Sequence, residues 1–282
     1  MSAPAPFRSQ LLKWIGSKQQ QADAIIAHFP AHFGTYFEPF LGSGGVLGVL
    51  SPERALASDG FRPLMEIWRS LLDDRETLKR HYADRYALVA ELGKKGAYEH
   101  ILRSYNARPN GADLVFLCRA CYGGVVRFRK QDGHMSTPVG IHDPILPESF
   151  AARVDAWHAR TRGTQFHHLD FTDAMSRARR GDLVYCDPPY SDSQTILYGA
   201  QSFSLDRLFD SIAACKARGA RVALSIDGTK SSGRKLCDIP IPDRLFVRQE
   251  FIAVGRSMLK RFQMEGRTLE QHEVRDRLLL TY

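Results

Sequence analysis

One nine-residue stretch constrains this chain more than any other: Asp182-Leu-Val-Tyr-Cys-Asp-Pro-Pro-Tyr190. Leu183, Val184 and Tyr185 read as a short buried strand. Asp187-Pro188-Pro189-Tyr190 stops it, because each proline lacks an N–H and has a fixed φ. The residue before each proline is held in extended geometry as well. A carboxylate, backbone carbonyls and an aromatic face are thereby fixed at the C-terminal edge of a strand. In open α/β sheets that edge is where ligands bind. An acceptor-only cluster beside a ring suits a planar amino group on a heterocycle.

The flanking sequence supplies the sheet. Residues 18–29 carry Ala22, Ile25, Ile26 and Phe29 at helical spacing before Pro30. Strands are predicted at Thr35 to Phe40, Ala55 to Asp59, Gln165 to His168, 182–186 and Arg221 to Ile226. A last antiparallel pair is expected at Leu245 to Val254 and Asp276 to Tyr282, joined by the basic segment Arg256 to Arg275. Residues 191–203 read as a polar loop. Ser204 caps a helix over 205–218 that Gly219 closes. Alternating strands and helices imply an α/β doubly wound sheet. Residues 62–160 interrupt it with helices and a hairpin turning at Asp132-Gly133. The expected division is a sheet domain of 11–61 and 161–282 around an inserted subdomain of 62–160.

A second chemical element follows the first strand. Gly42-Ser43-Gly44-Gly45 between strand and helix brings backbone N–H groups close to a ligand. Leu47 stands where a dinucleotide fingerprint wants glycine, and the Gly-Lys-Ser/Thr of a phosphate loop is absent. A nucleotide-like ligand without a pyrophosphate fits best. Asp59 ends the next strand, where a carboxylate meets ribose hydroxyls. Asp170-Phe171 ends the third strand and offers an acceptor with a ring beside it. The hairpin Arg127-Phe128-Arg129-Lys130 puts two arginines on one face, suited to a nucleic-acid groove.

Composition narrows the partners. Thirty-nine Lys and Arg against 31 Asp and Glu leave a formal charge of +8, which suits a polyanion. No apolar run approaches a membrane span, and the first residues carry no secretory signal. Five cysteines, an odd number, do not make a disulfide framework, so a reducing cytoplasm is expected. Cys118-Arg119-Ala120-Cys121 is a lone C-x-x-C whose downstream His134 and His142 miss finger spacing; the plain reading is two helix thiols without a metal.

Taken in order, the motifs resemble a known family. Lys13-Trp14-Ile15-Gly16-Ser17-Lys18, Phe37-Glu38-Pro39-Phe40-Leu41-Gly42-Ser43-Gly44-Gly45 and Asp187-Pro188-Pro189-Tyr190 are similar to the motifs of Dam-type (alpha-group, D12 class) DNA adenine-N6 methyltransferases. The resemblance implies a Rossmann-like methyltransferase fold with a DNA-recognition insertion, S-adenosyl-L-methionine as cofactor and double-stranded DNA as partner. No metal, membrane or obligate protein partner is implied, and the expected state is a monomer or weak dimer. Trp14, Lys18, Glu38, Phe40, Gly42, Gly44, Asp59, Asp170 and Phe171 would form the methyl-donor site. Asp187, Pro188, Pro189 and Tyr190 would receive a flipped-out adenine. Arg119, Tyr122, Gly124, Arg127, Arg129 and Lys130 would contact DNA. Cys118, Gly123 and Phe61 replace asparagines common in the family, and Ile226-Asp227-Gly228-Thr229 lacks its Ser-Asn dipeptide. The replacements at Cys118 and Gly123 bear on base or phosphate contacts, and so on the target sequence. The alternatives are transfer to cytosine N4 or RNA adenine, or a DNA-binding regulator without catalysis.

Overall fold

The computed structural model of the 282-residue chain describes residues 7–189, 203–227, 229–230, 235–236, 239–255 and 274–282. Tyr190, residues 191–202, Gly228 and residues 256–273 of the expected basic segment lie outside the described residues.

Seven strands form one sheet in the order β3-β2-β1-β4-β5-β9-β8. They are β1 (Tyr36–Glu38), β2 (Ala55–Asp59), β3 (Thr164–His168), β4 (Leu183–Cys186), β5 (Arg221–Asp227), β8 (Arg248–Gly255) and β9 (Val274–Leu280). The first five strands pair in parallel, whereas β9 runs antiparallel to both β5 and β8. Two short strands, β6 (Thr229–Lys230) and β7 (Lys235–Leu236), form a separate pair that the sequence reading did not anticipate. β1 is shorter than the expected 35–40 because Pro39 has no N–H to give a ladder.

Alternation sorts the two faces. Tyr36, Ala57, Leu183, Tyr185, Ala223, Leu278 and Leu280 pack into one apolar cluster. Phe37, Leu56, Val184, Cys186, Val222, Leu224 and Leu279 pack into another. Every residue of β4 is therefore buried, as expected of a parallel strand covered on both sides. The second face is closed by α7 (Phe171–Ser176) and α8 (Leu205–Ala217), through Met175, Leu208 and Ile212. α7 was not foreseen; Asp170 caps it by accepting from the Thr172 N–H at 3.0 Å. Ser204 caps α8 as the sequence suggests, and Gly219 follows at φ +82°.

The first face is closed by α1 (Ala22–Ile26), α2 (Gly45–Leu50) and helices of the insertion. α1 is much shorter than the predicted 18–29. Its expected first turn is drawn elsewhere: Lys18 reaches ion-pair partners, and the Gln19 amide donates to the Phe7 and Ser9 carbonyls. The insertion supplies α3 (Arg62–Asp73), α4 (Arg75–Ala107), α5 (Gly111–Ala120) and α6 (Pro147–Arg160). α4 breaks at Gly93, which takes φ 68° and ψ 164°. Trp68 of α3 stacks on Phe166 of β3 at 5.3 Å and meets Trp157 of α6 at 5.2 Å. Insertion and sheet thus share one continuous apolar cluster across residue 62. The hairpin over 125–137 carries an isolated bridge, Phe128 to Met135, with the Ser136 N–H donating to the Arg127 carbonyl and the Arg129 N–H to the His134 carbonyl, each at 2.9 Å, and the Arg127 N–H to the Thr137 hydroxyl at 3.0 Å. No helix among the described residues is long and apolar enough to cross a membrane.

Candidate active site

Strand order reverses between β1 and β4. β1 is followed by α2 and leads outward to β2, whereas β4 leads to β5 on the other side. A crevice opens beyond the carboxyl ends of two such strands. It is lined here by the N-terminal segment Trp14 to Lys18, the β1 exit from Glu38 to Ser43, Asp59, Asp170, Phe171 and Asp187 to Pro189. Distant stretches of sequence are thus brought to one cleft. Of the residues expected there, Gly44 stands apart: it is buried beneath the loop, at φ 63°, as the residue preceding α2.

The glycine loop is clamped from three sides. The Asp59 carboxylate accepts from the Gly42 and Phe61 N–H groups, each at 3.0 Å. The Trp68 indole donates to the Gly42 carbonyl at 3.0 Å, and Ser43 and Ser17 hydroxyls meet at 2.9 Å. Burial raises the Asp59 carboxyl, while the two backbone donors pull it back. A Cβ on Gly45 would stand 2.6 Å from the Gln19 nitrogen, so only glycine lets the N-terminal segment lie on the loop. On the wall formed by the β1 and β3 exits, Phe40 and Phe171 stack at 5.1 Å. Arg207 lies 5.1 Å above the Phe171 ring and pairs with Asp170 at 2.9 Å.

Charge concentrates at the β1 and β4 exits. Lys18 is buried, with its Nζ 2.9 Å from Asp187 Oδ1 and 3.5 Å from Asp276 Oδ2. Burial opposes its charge, yet the two carboxylates prevail and the ammonium titrates above its ordinary value. Glu38 is buried, accepts from the Tyr36 hydroxyl at 2.7 Å, and burial pushes its carboxyl up to about 8. The cleft therefore joins an aromatic wall, a glycine loop and carboxylates beside buried Lys18.

The model of the D12 class N6 adenine-specific DNA methyltransferases matches residues 14–236. The chain belongs to this family. A type II methyltransferase of Lactococcus lactis subsp. cremoris is 24% identical over 233 residues, covering 76% of this chain and 79% of that protein. A DNA adenine methylase of Serratia marcescens is 28% identical, covering 69% and 73%. One from Vibrio cholerae is 27% identical, covering 69% and 71%. The enzyme is accordingly an adenine-specific DNA methyltransferase with DNA as its substrate.

The methyltransferase's expected DNA-contacting residues divide in two. Arg127, Arg129 and Lys130 are exposed on the hairpin, while the intervening Phe128 turns inward to Phe61 and Tyr105. Arg129 donates from Nε and Nη2, one edge of its guanidinium, to the two carboxylate oxygens of Asp132. Tyr122 is half-buried, its N–H donating to the Pro138 carbonyl at 2.8 Å. Arg119 and Gly124 do not belong to that surface. Arg119 is 5% exposed and its guanidinium donates to the Gln10 and Leu11 carbonyls at 3.0 and 2.9 Å. Gly124 is buried where a Cβ would meet Lys13 at 2.8 Å. Both seat the N-terminal segment rather than face solvent.

Cys118 and Cys121 are buried, and burial pushes both thiols up to about 12. Among the described residues no cluster of metal-ligating side chains includes them. Sequence reasoning missed Asp276, Trp68 and Phe61 as parts of the site. Asp276 carries no motif, and Trp68 reads as ordinary helix core. Phe61 lines the cleft and links Trp14, at 6.3 Å, to Phe128, at 5.4 Å. Only its place after Asp59 hinted at it.

Proposed function

We propose that this methyltransferase uses S-adenosylmethionine and receives its target adenine out of the duplex, with Asp187 as the acceptor for the N6 amine. The observation carrying this reading is the position of Asp187. It lies in the same cleft as the glycine loop and the Phe40–Phe171 pair, ion-paired to buried Lys18. The residues present suit the donor: the ring pair for a purine, Asp170 for its amine, Asp59 for ribose hydroxyls, and carboxylates for a cationic centre. Trp14, Glu38, Phe40 and Gly42 complete that set, with Gly44 supporting the loop from beneath. S-adenosylmethionine supplies a methyl group on a sulfonium, electrophilic enough to need no further activation.

The chain's task is then to make a poor nucleophile reactive. The adenine amine is weak because its lone pair is delocalised into the ring. Asp187 and the Pro188 carbonyl accept its two N–H bonds, which draws the nitrogen toward tetrahedral geometry and frees the pair. Asp187 also stabilises the positive charge that develops on N6 as the N–CH3 bond forms and the sulfonium's S–CH3 bond breaks to leave a thioether; N6 then sheds one proton to give the neutral methylamine. Pro188 and Pro189 hold both acceptors rigid, so little reorganisation is required. N6 is paired in the duplex, so the base must leave the stack, at a cost of about a few kcal/mol. Tyr190 is proposed as the ring on which the base stacks, and Arg127, Arg129, Lys130 and Tyr122 as contacts to the duplex.

Asp187→Ala is expected to lower transfer of a tritiated methyl to DNA by about 1,000-fold or more, while donor affinity by calorimetry changes little. Near-normal turnover by this variant would sink the mechanism.

A further inference from the structure

Lys18 does not pair with Asp187 alone. Its ammonium is shared with Asp276, which comes from the far end of the chain on β9. Asp276 has the alternation of Leu278 and Leu280, and so points to the same face as Tyr36 and Tyr185. β5 lies between β4 and β9, and its Ser225 meets the Tyr185 hydroxyl at 2.8 Å. An aspartate on that buried face is costly unless it is paired. A lone Lys18–Asp187 pair would also be unsuitable for the reaction. The ammonium would cancel the charge that N6 requires as it becomes positive. Two carboxylates around one ammonium leave the trio with a net negative charge.

We propose that Asp276 is a positioning residue for methyl transfer: by sharing Lys18 with Asp187, it orients the catalytic carboxylate and keeps the trio anionic. This rests on the reading of Asp187 as the amine acceptor. Among the described residues, titratable groups near the trio include Glu38 and Tyr36 on β1 and Tyr185 and Cys186 on β4. Burial favours the uncharged form of each.

The test uses the full chain and single-turnover transfer of a tritiated methyl to unmethylated bacterial DNA at saturating donor. Asp276→Asn is expected to slow transfer about 10- to 100-fold, with donor and DNA affinities within about threefold of wild type. Nitrogen NMR of the Lys18 ammonium, a readout independent of turnover, is expected to show its titration falling in Asp276→Asn. Asp276→Ser carries the same expectations should the asparagine variant not fold. A rate within about twofold of wild type or an unmoved Lys18 titration would each overturn the proposal. Full activity in Asp187→Ala overturns the reading beneath it. An inactive Asp187→Ala beside an unimpaired Asp276→Asn overturns only the role of Asp276.

Discussion

Glu38 shows what a position in the fold does to a single side chain. An ordinary glutamate ionises near 4.5, whereas burial pushes this one up to about 8. The hydrogen bond from Tyr36 pulls it back only in part, and the Asp187 charge adds to the rise. A raised acid in the folded protein means that the unfolded chain releases its proton first. Stability due to this group is thus full below about pH 4.5 and is lost progressively as pH rises through about 8. Glu38→Gln keeps an acceptor for Tyr36 and removes that titration. In urea unfolding of the ligand-free protein, the variant is expected to gain on wild type between about pH 5 and about pH 9, by on the order of a few kcal/mol. Parallel pH curves for the two proteins would show that Glu38 titrates normally.

At the scale of elements, the loop between β1 and α2 is a joint between the sheet and the N-terminal segment. Gly45 is where they touch, and a methyl group there would press on the Gln19 backbone at 2.6 Å. Gly45→Ala is expected to cost about 1–3 kcal/mol and to weaken donor binding, because Trp14 and Lys18 ride on the displaced segment. Gly16 provides the contrast, with φ +77° and open space around it. Gly16→Ala should cost only about 1 kcal/mol, from backbone strain. Thermal midpoints and donor titrations of both variants check this ordering. The glycine loop itself was legible from its glycines between two apolar runs. The need for glycine at position 45 was not, since it comes from a segment twenty-six residues away in sequence.

Across the whole molecule, charge governs the encounter with DNA. The chain carries an excess of eight positive charges, and Arg127, Arg129 and Lys130 are exposed on the hairpin proposed above to contact the duplex. DNA affinity is expected to fall steeply with salt, as released counterions require. Arg127→Ala should lower the slope of log affinity against log salt by about 1. Arg119→Ala should leave that slope unchanged and instead lower the melting temperature, because its guanidinium is buried on backbone carbonyls. Binding isotherms at several salt concentrations distinguish the two arginines. Their separation by only eight residues shows why charge along a sequence is a poor guide to surface: α5 buries one, and the hairpin exposes the other.

Local rules were enough for much of this protein. Prolines end β4 because they lack an N–H, glycines mark the loop after β1, and alternating apolar residues mark strands covered on both faces. These depend on neighbours in the chain, so Asp187, Gly42 and the doubly wound sheet could be read directly. Where α1 begins depended on tertiary partners that pull Lys18 and Gln19 out of the helix. The burial of Arg119 and the arrival of Asp276 beside Lys18 were also decided only in three dimensions. Asp187-Pro188-Pro189 was legible as a rigid acceptor cluster. The pairing of Lys18 with Asp276 beside it was not, because the antiparallel placement of β9 brings the two together across more than two hundred residues, and no local pattern encodes that contact.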